Sequence, residues 1–187
     1  MSHNNQKKIA VINDFSGFGR CSIVVSLPII SALKVQCCAV PTSIFSNHTG
    51  FPEFFFDDYT DKMEQYIENW KKLDLEFEGI ATGFLGSKEQ IDIVKRFIED
   101  FRTEQTIVVI DPVMGDYGKP YATYTKSMCE EMRQLVSYAD ILTPNLTEAW
   151  NTGQIYINPE ISVRLRENSG SRDRKRLLSP ESYRENI

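Results

Sequence analysis

The sequence predicts an α/β fold with a mostly parallel central sheet covered by helices on both faces, and three observations carry that prediction. Short, apolar, β-branched runs alternate about five times with helical stripes, the pattern in which each crossover helix returns the chain to a parallel neighbour. The stripes repeat at three and four residues, giving each helix one face for the sheet. Turns rich in glycine, proline and polar residues follow the apolar runs, and ligands in such folds bind at the carboxyl ends of the strands.

"KIAVIN" (8–13) is the first expected strand, and "DFSGFGRCS" after it is read as a glycine-containing loop. "IVVSLPIISAL" (23–33) is apolar enough for a buried helix, with Pro28 expected to kink or shorten it. "VQCCAVP" (35–41) is the second strand; "EGIATGF" (78–84), "TIVVID" (106–111) and "ADIL" (139–142) are three more. Residues 58–73 carry the stripe Met63, Tyr66, Ile67, Trp70, Leu73 of a helix lying against a sheet. In "SKEQIDIVKRFIEDF", Ser87 and Gln90 form a capping box ahead of the stripe Ile91, Val94, Phe97, Ile98, Phe101. A further helix at 124–137 uses Met128, Met132, Leu135 and Val136. "FPEFFFDDY" (51–59) interrupts the alternation. Its simpler reading is a short edge or flap packing its rings on the core, and its sharper one an aromatic cover over a ligand.

At 187 residues, 41% hydrophobic and 25% charged, the chain fits one well-cored domain. A net charge of −5 argues against a nucleic-acid partner, which would need clustered positive charge. No apolar run reaches the roughly 18 residues of a membrane span, and "MSHNNQKK" is no signal peptide, so a cytoplasmic protein with no membrane partner is expected. Cys21, Cys37, Cys38 and Cys129 show no CxxC spacing, and the two histidines are His3 and His48. A zinc site is therefore not expected, and the cysteines are read as structural thiols.

The strand-end loops should face one crevice. "GFGRCS" (17–22) has Ser22 where G-x-G-x-x-G needs its third glycine, and no acid ends strand two to take a ribose, so the dinucleotide fingerprint fails. It is either a tight turn or a close backbone approach to a ligand. "GFLGSK" lacks P-loop spacing. In "DPVMGDYG" (111–118), Asp111 ends an apolar strand and Asp116 returns a second carboxylate beyond Gly115. Two such acids suit a hydrated Mg²⁺ that also takes phosphate oxygens, although Asp and Gly are turn formers as well. In "TPNLTE", Asn145 and Glu148 also make an acceptable helix capping box.

"FSNHTG" (45–50), "TGFLGS" (82–87), "DPVMGD" (111–116) and "TPNLTE" (143–148), in that order, resemble the pyridoxal kinases of the ribokinase superfamily. The opening "NDFSGFGRCS" is also similar to the hydroxymethylpyrimidine kinases, and the likeness covers about residues 7 to 149. The resemblance implies a three-layer ribokinase-like fold, truncated after the fifth strand. It implies ATP-dependent phosphorylation of the hydroxymethyl group of a vitamin B6 vitamer, with Mg²⁺ and often a monovalent cation such as K⁺. A homodimer is implied for an intact member. Substrate contact is carried to Asn13 and Ser16 at strand one, His48 and Thr49 in the "NHT" segment, and Phe84 after strand three. Many pyridoxal kinases have a serine where Asn13 stands, which bears on substrate preference. Nucleotide contact is carried to Asp111, Asp116, Thr143, Asn145 and Glu148, and metal contact to Asp111, Asp116 and Glu148. No catalytic residue is carried over, because the family's "GTGD" anion hole and base occur nowhere in the 187 residues. An inactive kinase-like chain is expected, with a hydroxymethylpyrimidine kinase or a non-catalytic B6-binding or subunit-pairing fragment as the alternatives.

Residues 1–150 are thus expected to be the N-terminal part of the kinase domain, and 151–187 an atypical tail. The tail holds six of ten arginines but one of eleven lysines. Its last part, "ENSGSRDRKRLLSPESYRENI" (167–187), shows no helical stripe or strand alternation and suits disorder, and the tail is either a real basic tail or the product of a reading-frame change near Trp150.

Overall fold

The computed structural model describes residues 5–121 and 124–152. In chain order the elements are β1 (Lys8–Phe18), α1 (Ser22–Ala32), β2 (Gln36–Asn47), β3 (Phe56–Asp58), α2 (Thr60–Lys72), β4 (Gly79–Thr82) and α3 (Lys88–Phe101). They continue with β5 (Ile107–Ile110), β6 (Gly115–Asp116), β7 (Lys119–Pro120), α4 (Lys126–Val136), β8 (Ile141–Leu142) and α5 (Leu146–Thr152). The main sheet runs β3-β2-β1-β4-β5-β8, and β6 and β7 form a separate hairpin. Strands β1, β2, β4, β5 and β8 are parallel, and β3 pairs antiparallel with β2. The expected α/β class and its five parallel strands are present.

Strand order reverses at β1. From β1 the chain goes outward through α1 to β2, then crosses back through α2 to β4 on the other side. Right-handed crossovers in opposite directions put α1 on one face and α2, α3 and α4 on the other. Ala10, Ile80 and Val108 share one row across the sheet, and Val40, Ile12, Ile110 and Leu142 share the next. These residues are fully buried against Met63, Ile91, Val94, Phe97, Ile98, Met128, Met132 and Leu135 of α2, α3 and α4. Lys95 links α3 to α4 through Glu131 at 2.8 Å, and Lys88 reaches the same carboxylate at 3.1 Å.

Several elements differ from the sequence reading. Strand β1 continues through "DFSGF" to Phe18, and β2 runs six residues past Pro41 to Asn47, where the sequence pattern predicts loops. In β1 the alternation is inverted, with Asp14 and Ser16 buried while Phe15 and Phe18 are exposed; in β2 Thr42 and Ser43 are buried beside the buried Phe45, and Ile44 is exposed. Helix α1 passes through Pro28 rather than ending there. Helix α5 continues through Thr152, past the boundary read at 150. The rest of that tail lies outside the described residues. No helix among the described residues is long and apolar enough to cross a membrane.

Candidate active site

The reversal of strand order opens a crevice between the carboxyl ends of β1 and β4, the expected ligand position in a doubly wound sheet. Asn13 closes its floor. Its Oδ1 accepts from the Asp14 N–H at 2.9 Å and from the Phe84 N–H at 2.8 Å, tying β1 to the turn after β4. A Cβ on Gly83 would lie 2.2 Å from Asn13 Nδ2, so the glycine of "TGF" gives the amide its place. With Oδ1 spent on two backbone donors, Asn13 has donor capacity left on its amide nitrogen. Phe84 is half-buried beside it, its ring edge-on to Phe45 at 5.9 Å.

Just beyond Asn13 the β1–β2 register shifts, and the buried Asp14 sits in that bulge. Asp14 accepts from Ser16 Oγ at 2.9 Å and from Ser22 Oγ at 2.5 Å. Ser22 opens α1 with a φ of 55°, a left-handed conformation that costs a non-glycine residue energy. The bond to Asp14 helps hold it there. Ser16 was expected in a loop facing substrate; it is instead a buried strand residue whose hydroxyl proton goes to Asp14, leaving lone pairs for any ligand.

His48 and Thr49 follow β2 and are exposed. The His48 N–H donates to the Phe18 carbonyl at 2.8 Å, and Nδ1 accepts from the Gly50 N–H at 3.0 Å. That acceptor role puts the proton of the neutral ring on Nε2, which becomes its outward donor. Gly19, at φ +117°, passes so close that a Cβ there would meet His48 Cβ at 2.9 Å.

The phenylalanines of "FPEFFF" pack partly on the core, as their simpler reading expects. Phe54 and Phe56 pack on the buried Phe45 with centroids at 5.7 and 4.9 Å, and Phe51 packs on Phe18 at 5.5 Å. Each still keeps a large exposed surface. An open cleft of about 540 Å³ lies between Phe18, Ser46, Asn47, Phe51, Pro52 and Glu53. It is at the outer rim of the extended strands, and none of the sequence-predicted contacts lines it.

On the other side of the crevice, two motifs far apart in sequence are joined by three hydrogen bonds. Glu148 Oε1 accepts from the Met114 N–H at 3.3 Å, Asn145 Nδ2 donates to the Gly115 carbonyl at 2.8 Å, and Thr147 Oγ1 accepts from the Gly118 N–H at 2.8 Å. The capping box is reciprocal as well: Asn145 Oδ1 accepts from the Glu148 N–H at 3.0 Å, and Glu148 Oε2 from the Asn145 N–H at 2.8 Å. Gly115 is required by the β6–β7 hairpin, since a Cβ would fall 2.2 Å from the Lys119 carbonyl oxygen. Tyr117 and Gly118 turn that hairpin with φ of 52° and 79°, the paired positive values of a type I′ turn. Thr143 is half-buried, its N–H donating to the Ile110 carbonyl at 3.1 Å.

The three acids predicted together do converge electrostatically. Partial burial first, and then the carboxylates of Asp116, Glu148 and Asp111, push the Tyr121 phenol above its usual range. They do not form one metal cage: no cluster of three or more metal-binding side chains occurs among the described residues. Both oxygens of the buried Glu148 accept backbone N–H groups, which fixes the orientation of the carboxylate and leaves each oxygen a second lone pair. Asp111 and Asp116 are half-buried, and Asp116 Oδ1 accepts from the Tyr117 N–H at 2.9 Å. One or two carboxylates are what a Mg²⁺ that keeps its waters and binds phosphate asks of a protein. The pair fits on that basis.

Sequence reasoning missed Tyr124. Its hydroxyl is buried without a hydrogen-bond partner among the described residues, and burial, with Cys129 and Glu148 nearby, pushes the phenol strongly upward. Read as part of a helix, it gave no signal of this.

A doubly wound sheet with an amide at its switch point and paired acids across it has the layout of an α/β fold that places ligands at its strand ends. Residues 23–165 match the phosphomethylpyrimidine kinase family, and the chain belongs to that family. A protein of Bacteroides thetaiotaomicron, assigned as a phosphomethylpyrimidine kinase, is 48% identical with a TM-score of 0.79, over 81% of this chain and 53% of that one. The same protein crystallised with pyridoxal is again 48% identical, with a TM-score of 0.77, over 79% and 52% of the two chains. The pyridoxal kinase of Arabidopsis thaliana is 35% identical over 121 residues, 62% of this chain and 38% of the relative. The chain therefore spans about half the length of the solved relative and 38% of the Arabidopsis one.

Proposed function

We propose that this chain carries the vitamin-side and phosphate-side residues of a kinase that transfers the ATP γ-phosphoryl group to the hydroxymethyl of a B6 vitamer. The observation carrying this reading is the Asn13–Gly83–Phe84 junction, which leaves an amide donor beside an aromatic wall at the switch point. A flat heteroaromatic ring with an acceptor nitrogen matches that pairing, and the pyridoxal-bound crystal of the 48% identical relative supports it. His48, with its Nε2 proton, and Thr49 supply further polar contacts at the exposed side of the ring. Asp111 and Asp116 would hold Mg²⁺, which neutralises phosphate charge when bound. The hairpin and α5, bonded to each other, keep those acids in register.

The test is a titration of the 187-residue protein with pyridoxine, which lacks the aldehyde that reacts with lysines. Saturable binding is expected, weakened about tenfold in Asn13→Ala, the scale of one lost hydrogen bond to a buried partner. With no GTGD segment in these residues, turnover of ATP with pyridoxine is expected to be absent. The family match itself favours a second reading, a hydroxymethylpyrimidine substrate. Binding of the pyrimidine with no competition from pyridoxine would replace our assignment with that one.

A further inference from the structure

Strand order places β1 between β2 and β4, yet at their carboxyl ends β2 and the turn after β4 are bonded directly. Thr42 Oγ1 donates to the Phe84 carbonyl at 2.9 Å, a bond that passes over β1. Thr42 lies in the β1–β2 bulge: pairing moves from Asn13 opposite Pro41 to Phe15 opposite Ile44, so Asp14 stands against both Thr42 and Ser43. An extra residue in one strand re-aims the side chains around it, and bulges recur beside ligand sites for that reason.

Phe84 is held from two sides. Its N–H donates to Asn13 Oδ1 at 2.8 Å and its carbonyl accepts from Thr42, so side chains rather than the sheet take both of its backbone groups. It sits in the turn between the end of β4 at Thr82 and the start of α3 at Lys88, and neither element sets the direction of its ring.

Thr42 is itself fixed. Its carbonyl accepts from Gln90 Nε2 at 2.8 Å and from the Tyr59 N–H at 3.1 Å. Gln90 is fully buried, and a buried amide has to satisfy its donors and its acceptor. Nε2 also donates to Thr60 Oγ1 at 2.8 Å, and Oε1 accepts from the Gly86 N–H at 2.7 Å. One side chain thus joins β2, the start of α2 and the turn that carries Phe84.

We infer that Thr42 is a positioning residue for the ligand crevice: its hydroxyl, with the carbonyl beneath it anchored by Gln90, aims the Phe84 ring beside the Asn13 amide. Without that bond the Phe84 peptide is free to turn, and the aromatic wall loses its place next to the amide donor. The consequence for ligand affinity rests on the vitamin reading; the hold on Phe84 does not.

The test compares Thr42→Val, which keeps the branched shape and loses the hydroxyl, with Thr42→Ser, which keeps the hydroxyl and loses the methyl. Hydrogen exchange of residues 83–86 is followed by mass spectrometry without ligand, and pyridoxine affinity by titration. In Thr42→Val, exchange of that segment should rise several-fold while α3 keeps its rates. Affinity should fall about fivefold, the scale of one hydrogen bond. Thr42→Ser should restore most of both. In a Phe84→Ala background, Thr42→Val should weaken binding no further, as expected of a residue that acts through Phe84.

Any of five results overturns the inference: unchanged exchange at 83–86 in Thr42→Val, unchanged affinity of that variant in a protein that binds pyridoxine, an equal loss in Thr42→Ser, additive losses in the double variant, or a matching rise in α3 exchange, which marks general loosening. If the unsubstituted protein does not bind pyridoxine, the vitamin reading fails by itself, and the exchange of 83–86 still decides the role of Thr42.

Discussion

Asn13 and Gly83 act as one unit, and their coupling is measurable at the residue scale. A methyl group at 83 would overlap the Asn13 amide at 2.2 Å, and overpacking of this kind costs about 1–3 kcal/mol. Gly83→Ala should therefore destabilise the protein by about that amount in urea unfolding. In an Asn13→Ala background the added methyl has room, so the double mutant should recover much of the loss, and simple additivity would refute the coupling. The glycine was visible in the sequence as part of "TGF", and Asn13 as a departure from the usual serine. Their contact was not, because it joins strands separated by a helix, two further strands and another helix. The capping box of Asn145 and Glu148 was legible, since both partners lie within one turn. That Glu148 also holds the Met114 N–H was not, because that bond spans 34 residues.

Among the elements, helices with a clear apolar stripe were readable and the outer halves of β1 and β2 were not. In "DFSGF" the buried positions are Asp14 and Ser16, satisfied by each other, while Phe15 and Phe18 are exposed. A strand with polar residues inside and aromatic residues outside inverts the pattern from which strands are recognised. Ser87 and Gln90 show a partial success. Ser87 Oγ accepts from the Gln90 N–H at 3.1 Å as a cap should, but Gln90 Oε1 takes the Gly86 N–H, and Nε2 crosses to the Thr42 carbonyl at 2.8 Å. The α3–α4 contact carries a pH prediction. Hydrogen bonding to Lys95 first, and then Lys88, holds the Glu131 carboxyl below its usual range, and Asp92 is lowered chiefly by Lys95. A depressed folded-state pKa gives stability that is present above the unfolded value and lost as pH falls through the folded one. Melting temperature should therefore fall on acidification below the ordinary carboxylate range. Glu131→Gln should flatten part of that fall, with its own loss appearing at neutral pH; an unchanged acid slope would count against the contact.

At the scale of the whole molecule, the two faces of one sheet have different fates. The face toward α2, α3 and α4 is a continuous core, while on α1 and the reverse face Leu27, Ile29, Leu33, Ile107 and Ile141 are each exposed. Exposed apolar side chains favour association, and among the described residues β8 has no partner on its outer edge. The chain alone should therefore scatter light heterogeneously, increasingly with concentration, without settling into a defined oligomer. Replacing Leu33, 71% exposed, by Glu and Ile107, 52% exposed, by Lys removes apolar surface that contributes little to the chain's own packing. Such exposed substitutions usually move stability by no more than about 0.5 kcal/mol. The double variant should then stay monodisperse at several-fold higher concentration with its melting midpoint unmoved. If it instead melts at a distinctly lower temperature, those side chains are already packed, and the reverse face is not the open surface described above. If aggregation persists with the midpoint unchanged, the source lies elsewhere, and the exposed phenylalanines 51 and 54–56 beside the outer cleft become the next positions to replace.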